Sequence, residues 1–187
     1  MKKIPADPSE RIARPPRRLV VVLLTLVGAL GLGVLLAGMA FPLVFRVARV
    51  EGQAMAPTLR DQDRLVVSRW AYHASLPQRG DIVMMHYPRN PEKLFVKRVV
   101  GGPGDTVHIQ NGQTYVNGQP EEDAFVVPAG RSADTWGPAV VPEGHYFVMG
   151  DRRNNSSDSR HWGYVPTRYI VGRVAFRWWP MADARRF

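Results

Sequence analysis

Cysteine is absent from this 187-residue chain. That excludes a disulfide framework, a thiol nucleophile, thiolate-held zinc or iron–sulfur clusters and a lipid-modified N-terminal cysteine. It decides nothing about compartment, because a domain with an adequate core needs no disulfides on either side of a membrane. Histidine is sparse. His73, His86, His108, His145 and His161 form no His-x-x-x-His pair and enclose no carboxylate cluster, and Asp61 and Asp63 lack the glycine and terminal glutamate of a calcium loop. No metal site and no cofactor are therefore expected.

Charge is missing from one long segment. Residues 19–45 hold no Asp, Glu, Lys or Arg, although the chain carries a formal +9 overall. Six of the cations lie in the first 18 residues (Lys2, Lys3, Arg11, Arg14, Arg17, Arg18) beside only Asp7 and Glu10. The basic excess is thus concentrated at the N-terminus, and a nucleic-acid partner is disfavoured. At about 1.5 Å per residue, 27 helical residues reach roughly 40 Å, more than a ~30 Å hydrocarbon core. Pro42 is expected to end or kink this helix. A secretory signal has an apolar stretch of only ~7–15 residues, so an uncleaved anchor is favoured. The organisation expected is a cytoplasmic basic tail over 1–18, a transmembrane helix over 19–41 and an extracytoplasmic domain over 46–187. The arginines before the span set its orientation, with the N-terminus cytoplasmic.

Beyond the span the pattern is short apolar runs and turns. Strands are expected over 64–67, 82–87, 95–100, 106–110, 113–116, 145–149 and 169–179. Asn111-Gly112 and Asn117-Gly118 supply the positive φ angles that tight hairpin turns need. Residues 119–144 read as an irregular excursion with room for one strand. No repeat and no sustained helical period is present. The fold class is mainly β, an antiparallel barrel or folded sheet following one N-terminal membrane helix.

Three segments carry chemistry: VEGQAMAPTL from Val50, RGDIVMMHYPRNPEKLFVKRVVGGPGD from Arg79, and GDRRNNSSDSRHWGYVP from Gly150. Lys97 sits in an apolar strand, where alternation places it on a face with Phe95 and Val99. A desolvated ammonium has a lowered pKa, and a neutral amine can act as general base toward a hydroxyl. A lone strand lysine more commonly snorkels to water or pairs with an acid. In the third segment Asp151, Arg153, Asp158 and Arg160 can form charge-assisted pairs that brace a loop.

Taken together, in this order and after an N-terminal span, the three segments resemble the conserved boxes of bacterial type I signal peptidases. The resemblance runs from the span to Trp179. It rests on the G-x-x-M-x-P-T-L run, the RGDIV…FVKRVVG-PGD run and the GD-x-R-x-NS-x-DSR-x-WG-x-VP run. It implies a signal-peptidase-like β domain whose serine nucleophile precedes Met55 and whose general base is Lys97. The nucleophile's place is held by Ala54, which has no hydroxyl. Loss of a catalytic serine can cost on the order of a millionfold in turnover, so this chain is expected to be inactive as written.

Thr58, Ser68 and Ser75 are poorly placed to substitute. Two explanations stand, a deliberate Ser-to-Ala change and a natural inactive paralogue, and the otherwise well-kept motif favours the first. By the same resemblance Ser156 orients the Lys97 amine, backbone N–H groups near residue 54 form an oxyanion hole, and Asp151, Arg153, Asp158 and Arg160 form the bracing polar loop. Arg152 stands where the family usually has Asn.

The implied reaction is endoproteolysis after Ala-x-Ala-like sites in signal-peptide-bearing precursors, at the surface of the cell membrane. Met55, Val83 and Met84 are expected near the substrate pockets. Trp70, Tyr72, Trp178 and Trp179 are candidate interfacial anchors or ordinary core. Alternatives are a pseudoprotease that binds signal peptides or a secretion partner without cutting, and a specialised peptidase for one pilin or conjugation precursor. A self-cleaving repressor is disfavoured by the span and by the missing DNA-binding segment.

Overall fold

A computed structural model describes residues 17–73 and 75–187. The basic tail expected over 1–18 lies outside these residues except for Arg17 and Arg18. The chain divides into compact units after Pro42.

The first element is one helix, α1, Arg17–Val44, none of whose residues is buried. An apolar surface exposed around the full circumference suits hydrocarbon better than water, and 28 residues is ample length for a crossing. Pro42 lies inside the helix. It marks the last turn but does not stop it, and the chain passes directly from Val44 into a strand.

The second unit is built from antiparallel strands. The larger sheet contains β1 (Phe45–Arg49), β2 (Arg64–Ser68), β3 (Ile82–Tyr87), β4 (Asn90–Gly101), β9 (His145–Met149), β10 (Val165–Pro166), β11 (Ile170–Trp179) and β12 (Arg185–Arg186). Its order is β1-β2-β11-β3-β4-β9-β10, with β12 added on β11. The last long strand is therefore inserted between β2 and β3, and it pairs with both. The smaller sheet runs β7-β6-β5-β8, from β5 (Thr106–Gln110), β6 (Gln113–Val116), β7 (Gln119–Pro120) and β8 (Trp136–Val140). Asn111 and Gly112, at φ 49° and 79°, make the β5–β6 turn, as the Asn-Gly pair requires.

Alternation along the central strands divides the interior. Ile82 and Met84 join Met55, Leu59, Leu65 and Val67 in one cluster. Val83 and Met85 point the other way, to Val99, Tyr146 and Val148. A third cluster, with Val107, Ile109, Phe147 and Met149, lies where the smaller sheet meets β4 and β9.

Candidate active site

The three motif segments converge on one cleft of about 780 Å³. One wall is β1 with the turn that follows it, through Ala54 and Met55. The other is β4 from Leu94 to Lys97, with Met84 of β3, and Asn155 and Ser157 close one end.

Residue 54 is held by the turn that carries it. Gly52 supplies the positive φ of 89° that starts the turn. The Ala56 N–H donates to Gln53 and the Leu59 N–H to Met55, at 3.0 and 2.8 Å. Met55 and Leu59 plug the first core cluster, at 2% and 0% exposure, so the turn is anchored from below by apolar burial. From above, the Arg152 N–H donates to the Ala54 carbonyl at 3.0 Å. The Arg152 guanidinium also donates to the Gln53 side-chain oxygen.

Lys97 is 3% exposed. Its Nζ donates to Ser156 Oγ at 2.8 Å and lies 5.5 Å from the centre of the Phe95 ring. Burial pushes the amine down to about 8; the Asp158 carboxylate opposes this, and the Arg160 guanidinium reinforces it. The buried amine therefore has a substantial neutral fraction near physiological pH.

Ser156 is held in turn. Burial alone would raise the Asp158 carboxyl, but hydrogen bonding and charge from Arg160, with further hydrogen bonds from Ser156 and the Gly150 N–H, hold it below the usual range. Ser156 Oγ thus accepts from Lys97, and its hydroxyl is among the groups that favour the ionised Asp158. Gly150 is needed beside it. A Cβ there would stand 2.3 Å from Ser156 Oγ and 2.5 Å from the Ala54 carbonyl oxygen.

The charged residues of the loop are braced mainly from outside it. Asp151 receives two bonds from Arg98, at 2.8 and 2.6 Å. Arg153 donates to both Asp123 carboxylate oxygens, at 2.7 and 3.1 Å, and to Thr114 Oγ1 at 2.7 Å. Within the loop Asp158 and Arg160 pair through two contacts of 2.8 Å, and Arg160 also donates to the Arg153 carbonyl at 2.7 Å. Arg160 also reaches Asp134. Asp158 caps the short helix α2, Ser159–Trp162.

The structure brings Ala54, Lys97, Met55 and Met84 to the cleft, with Ser156 against the lysine. Val83, expected near the pockets, does not line the cleft: adjacent strand residues face opposite sides, so Met84 takes the cleft and Val83 packs in the interior. Thr58 is buried and Ser75 donates to the Ala71 carbonyl; neither they nor Ser68 line the cleft. Ser157 does, without any hydrogen bond to Lys97. Trp70 and Trp179 are exposed, whereas the Tyr72 hydroxyl donates to Asp81 and Trp178 lies half-buried under Arg64.

Sequence reasoning missed Arg98, Thr114, Asp123 and Asp134 as bracing partners. Arg98, next to Lys97 on the opposite strand face, carried a signal, since a cation in an apolar strand demands a partner. Asp123 and Asp134 lay in the excursion that gave no pattern. Among the described residues no group of three His, Cys, Asp or Glu side chains could hold a metal ion.

The family model described as signal peptidase, peptidase S26, matches residues 23–179. The signal peptidase I of Leptolyngbya laminosa is 40% identical over 159 residues, covering 81% of this chain and 77% of the relative. That of Bacillus amyloliquefaciens is 34% identical over 167 residues, 84% and 89% of the two chains. A solved signal peptidase I from Enterococcus faecalis shares 32% identity, with a TM-score of 0.48 over 53% of this chain and 97% of that one. A family match spanning most of the sequence, with relatives of this similarity along most of their own length, establishes that the chain belongs to the signal peptidase family, peptidase S26.

Proposed function

We propose that this chain is a membrane-anchored signal peptidase I whose Ser–Lys site has alanine in the nucleophile's place, so that it binds precursor signal peptides without hydrolysing them. The observation that carries this reading is the buried Lys97 amine, 2.8 Å from Ser156 Oγ, on the wall of the cleft that Ala54 lines. Met55 and Met84 shape apolar ground beside residue 54, fit for small side chains at alternate positions of an extended substrate. The bilayer brings in the precursor, and the arginine-flanked start of α1 keeps the N-terminus cytoplasmic and the cleft on the far face.

With serine at position 54 the chemistry follows from the geometry. The hydroxyl oxygen attacks the scissile carbonyl while neutral Lys97 takes its proton. Ser156 Oγ accepts one N–H of the amine and orients the nitrogen toward residue 54. Backbone N–H groups at and near residue 54 stabilise the oxyanion. The leaving amine takes the proton back from Lys97, and water hydrolyses the acyl-enzyme by the same route.

The test is Ala54→Ser in the full chain, presented with a precursor bearing an Ala-x-Ala site, beside the unaltered chain and an Ala54→Ser/Lys97→Ala double variant. Cleavage is expected from the single variant alone. An Ala54→Ser form that cuts nothing, while the unaltered chain binds the precursor stably, supports the second reading, a natural pseudoprotease.

A further inference from the structure

A second cavity, of about 410 Å³, shares no lining residue with the cleft and takes no part in the chemistry above. Its wall includes Leu43, Arg69, Trp70, Tyr72, His73 and Ile170. Its wall is tied by the backbone to the start of the strand unit. The Arg69 N–H donates at 2.9 Å to the carbonyl of Val44, the last residue of α1. Arg69 and Trp70 are thereby held beside Val44, one residue before the end of the charge-free run in the sequence.

The lining has the chemistry of a phospholipid headgroup site. Arg69 makes no ion pair among the described residues, and neither Asp nor Glu lines the cavity. Asp81, the acid that the lining residue Tyr72 contacts, is engaged by the Tyr72 hydroxyl at 2.9 Å and by Arg173 at 3.8 Å. Trp70, 60% exposed, stacks on His73 with ring centres 4.8 Å apart. An exposed indole with an arginine beside it, at the end of a membrane helix, matches the headgroup level, where amphipathic rings and cations are favoured. Leu43 and Ile170 supply apolar contact for the glycerol ester region below a phosphate. We propose that this cavity binds the headgroup of an anionic phospholipid, with the phosphodiester on Arg69 and His73 and the glycerol backbone against Trp70 and Leu43. This rests on α1 being membrane-embedded and not on peptidase activity.

The test reads lipid retention. The full-length chain is extracted from bilayers holding equal phosphatidylglycerol and phosphatidylcholine, and lipids that stay bound are counted by native mass spectrometry. Phosphatidylglycerol is expected to be retained about fivefold over phosphatidylcholine, the scale one basic residue supplies at an anionic surface. Arg69→Gln should bring the ratio near parity, and His73→Gln, a second variant in case the first misfolds, should lower it. Arg46→Gln, which alters a cation at the same exit but outside this cavity, should leave it unchanged. Equal retention of the two lipids overturns the proposal, as does an equal loss in Arg46→Gln. Displacement of phosphatidylglycerol by millimolar glycerol 1-phosphate also overturns it, by assigning the cavity to a soluble phosphate.

Discussion

Lys97 and Gly150 are the two residues whose physical chemistry most constrains the site. A lysine useful as a base must lose its proton near working pH, and burial lowers this one to about 8. Only the neutral amine can accept the serine proton. In the Ala54→Ser form kcat/KM is therefore expected to rise with pH through a limb centred near 8 and to fall below it. A pH profile flat between 6 and 10 would remove Lys97 from the role of base. Gly150 acts through space rather than charge. Because the Cβ of an alanine there would press on a backbone carbonyl as well as on Ser156, the strain cannot be relieved by one rotamer. Gly150→Ala in the Ala54→Ser background should destabilise the fold by about 1–3 kcal/mol. It should also lower cleavage at least a hundredfold, read as thermal unfolding and precursor processing in parallel.

At the scale of elements, the polar loop between β9 and α2 is held by ion pairs that reach across the domain. Arg153 and Asp123 are 2% and 7% exposed, and the contact with Thr114 of β6 fastens the smaller sheet to the loop. Removing one partner of such a buried pair leaves an uncompensated charge, at a cost of about 3–5 kcal/mol. Arg153→Met is expected to lose that much, and Arg153→Met/Asp123→Leu to regain most of it in chemical denaturation. A double variant no more stable than the single one would show that the pair does more than neutralise itself.

The loop also marks where sequence reading stops. Apolar runs bounded by turn residues make β3, β5, β6 and β9 legible, because burial on a pleated surface imposes that pattern. Lys97 is legible for the same reason, as a cation where the pattern asks for an apolar side chain. By contrast β1, with the sequence FRVAR, buries little and follows an apolar run that masks its start. β10 and β12 are two residues each, too short for any period. Asp123 finds Arg153 across 30 positions of chain, a pairing set by tertiary geometry alone. Val83 and Met84 could both be named as pocket candidates, but the pleat admits only one of them to the cleft.

At the scale of the whole molecule, the order β2-β11-β3 places a late strand between two early ones. Residues 170–179 supply hydrogen bonds to β2 on one side and β3 on the other, and Arg177 reaches back to Asp63 at 2.9 Å and to the Thr58 carbonyl beneath the turn that bears residue 54. A chain ending at Tyr169 is expected to give no protease-resistant domain in limited proteolysis, even though all three motifs are present. Survival of a resistant core of normal size would mean that β2 and β3 can close without their shared neighbour. Such long-range closure is also slow compared with hairpin formation.

The inserted strand has a consequence for biosynthesis. The ribosome makes the segments bearing Ala54, Lys97 and Ser156 before the strand that fixes the sheet beneath them. A copy whose residues 170–179 have yet to emerge therefore has no finished groove beside Ala54 and Lys97, and stays closed to any extended ligand until that strand is seated.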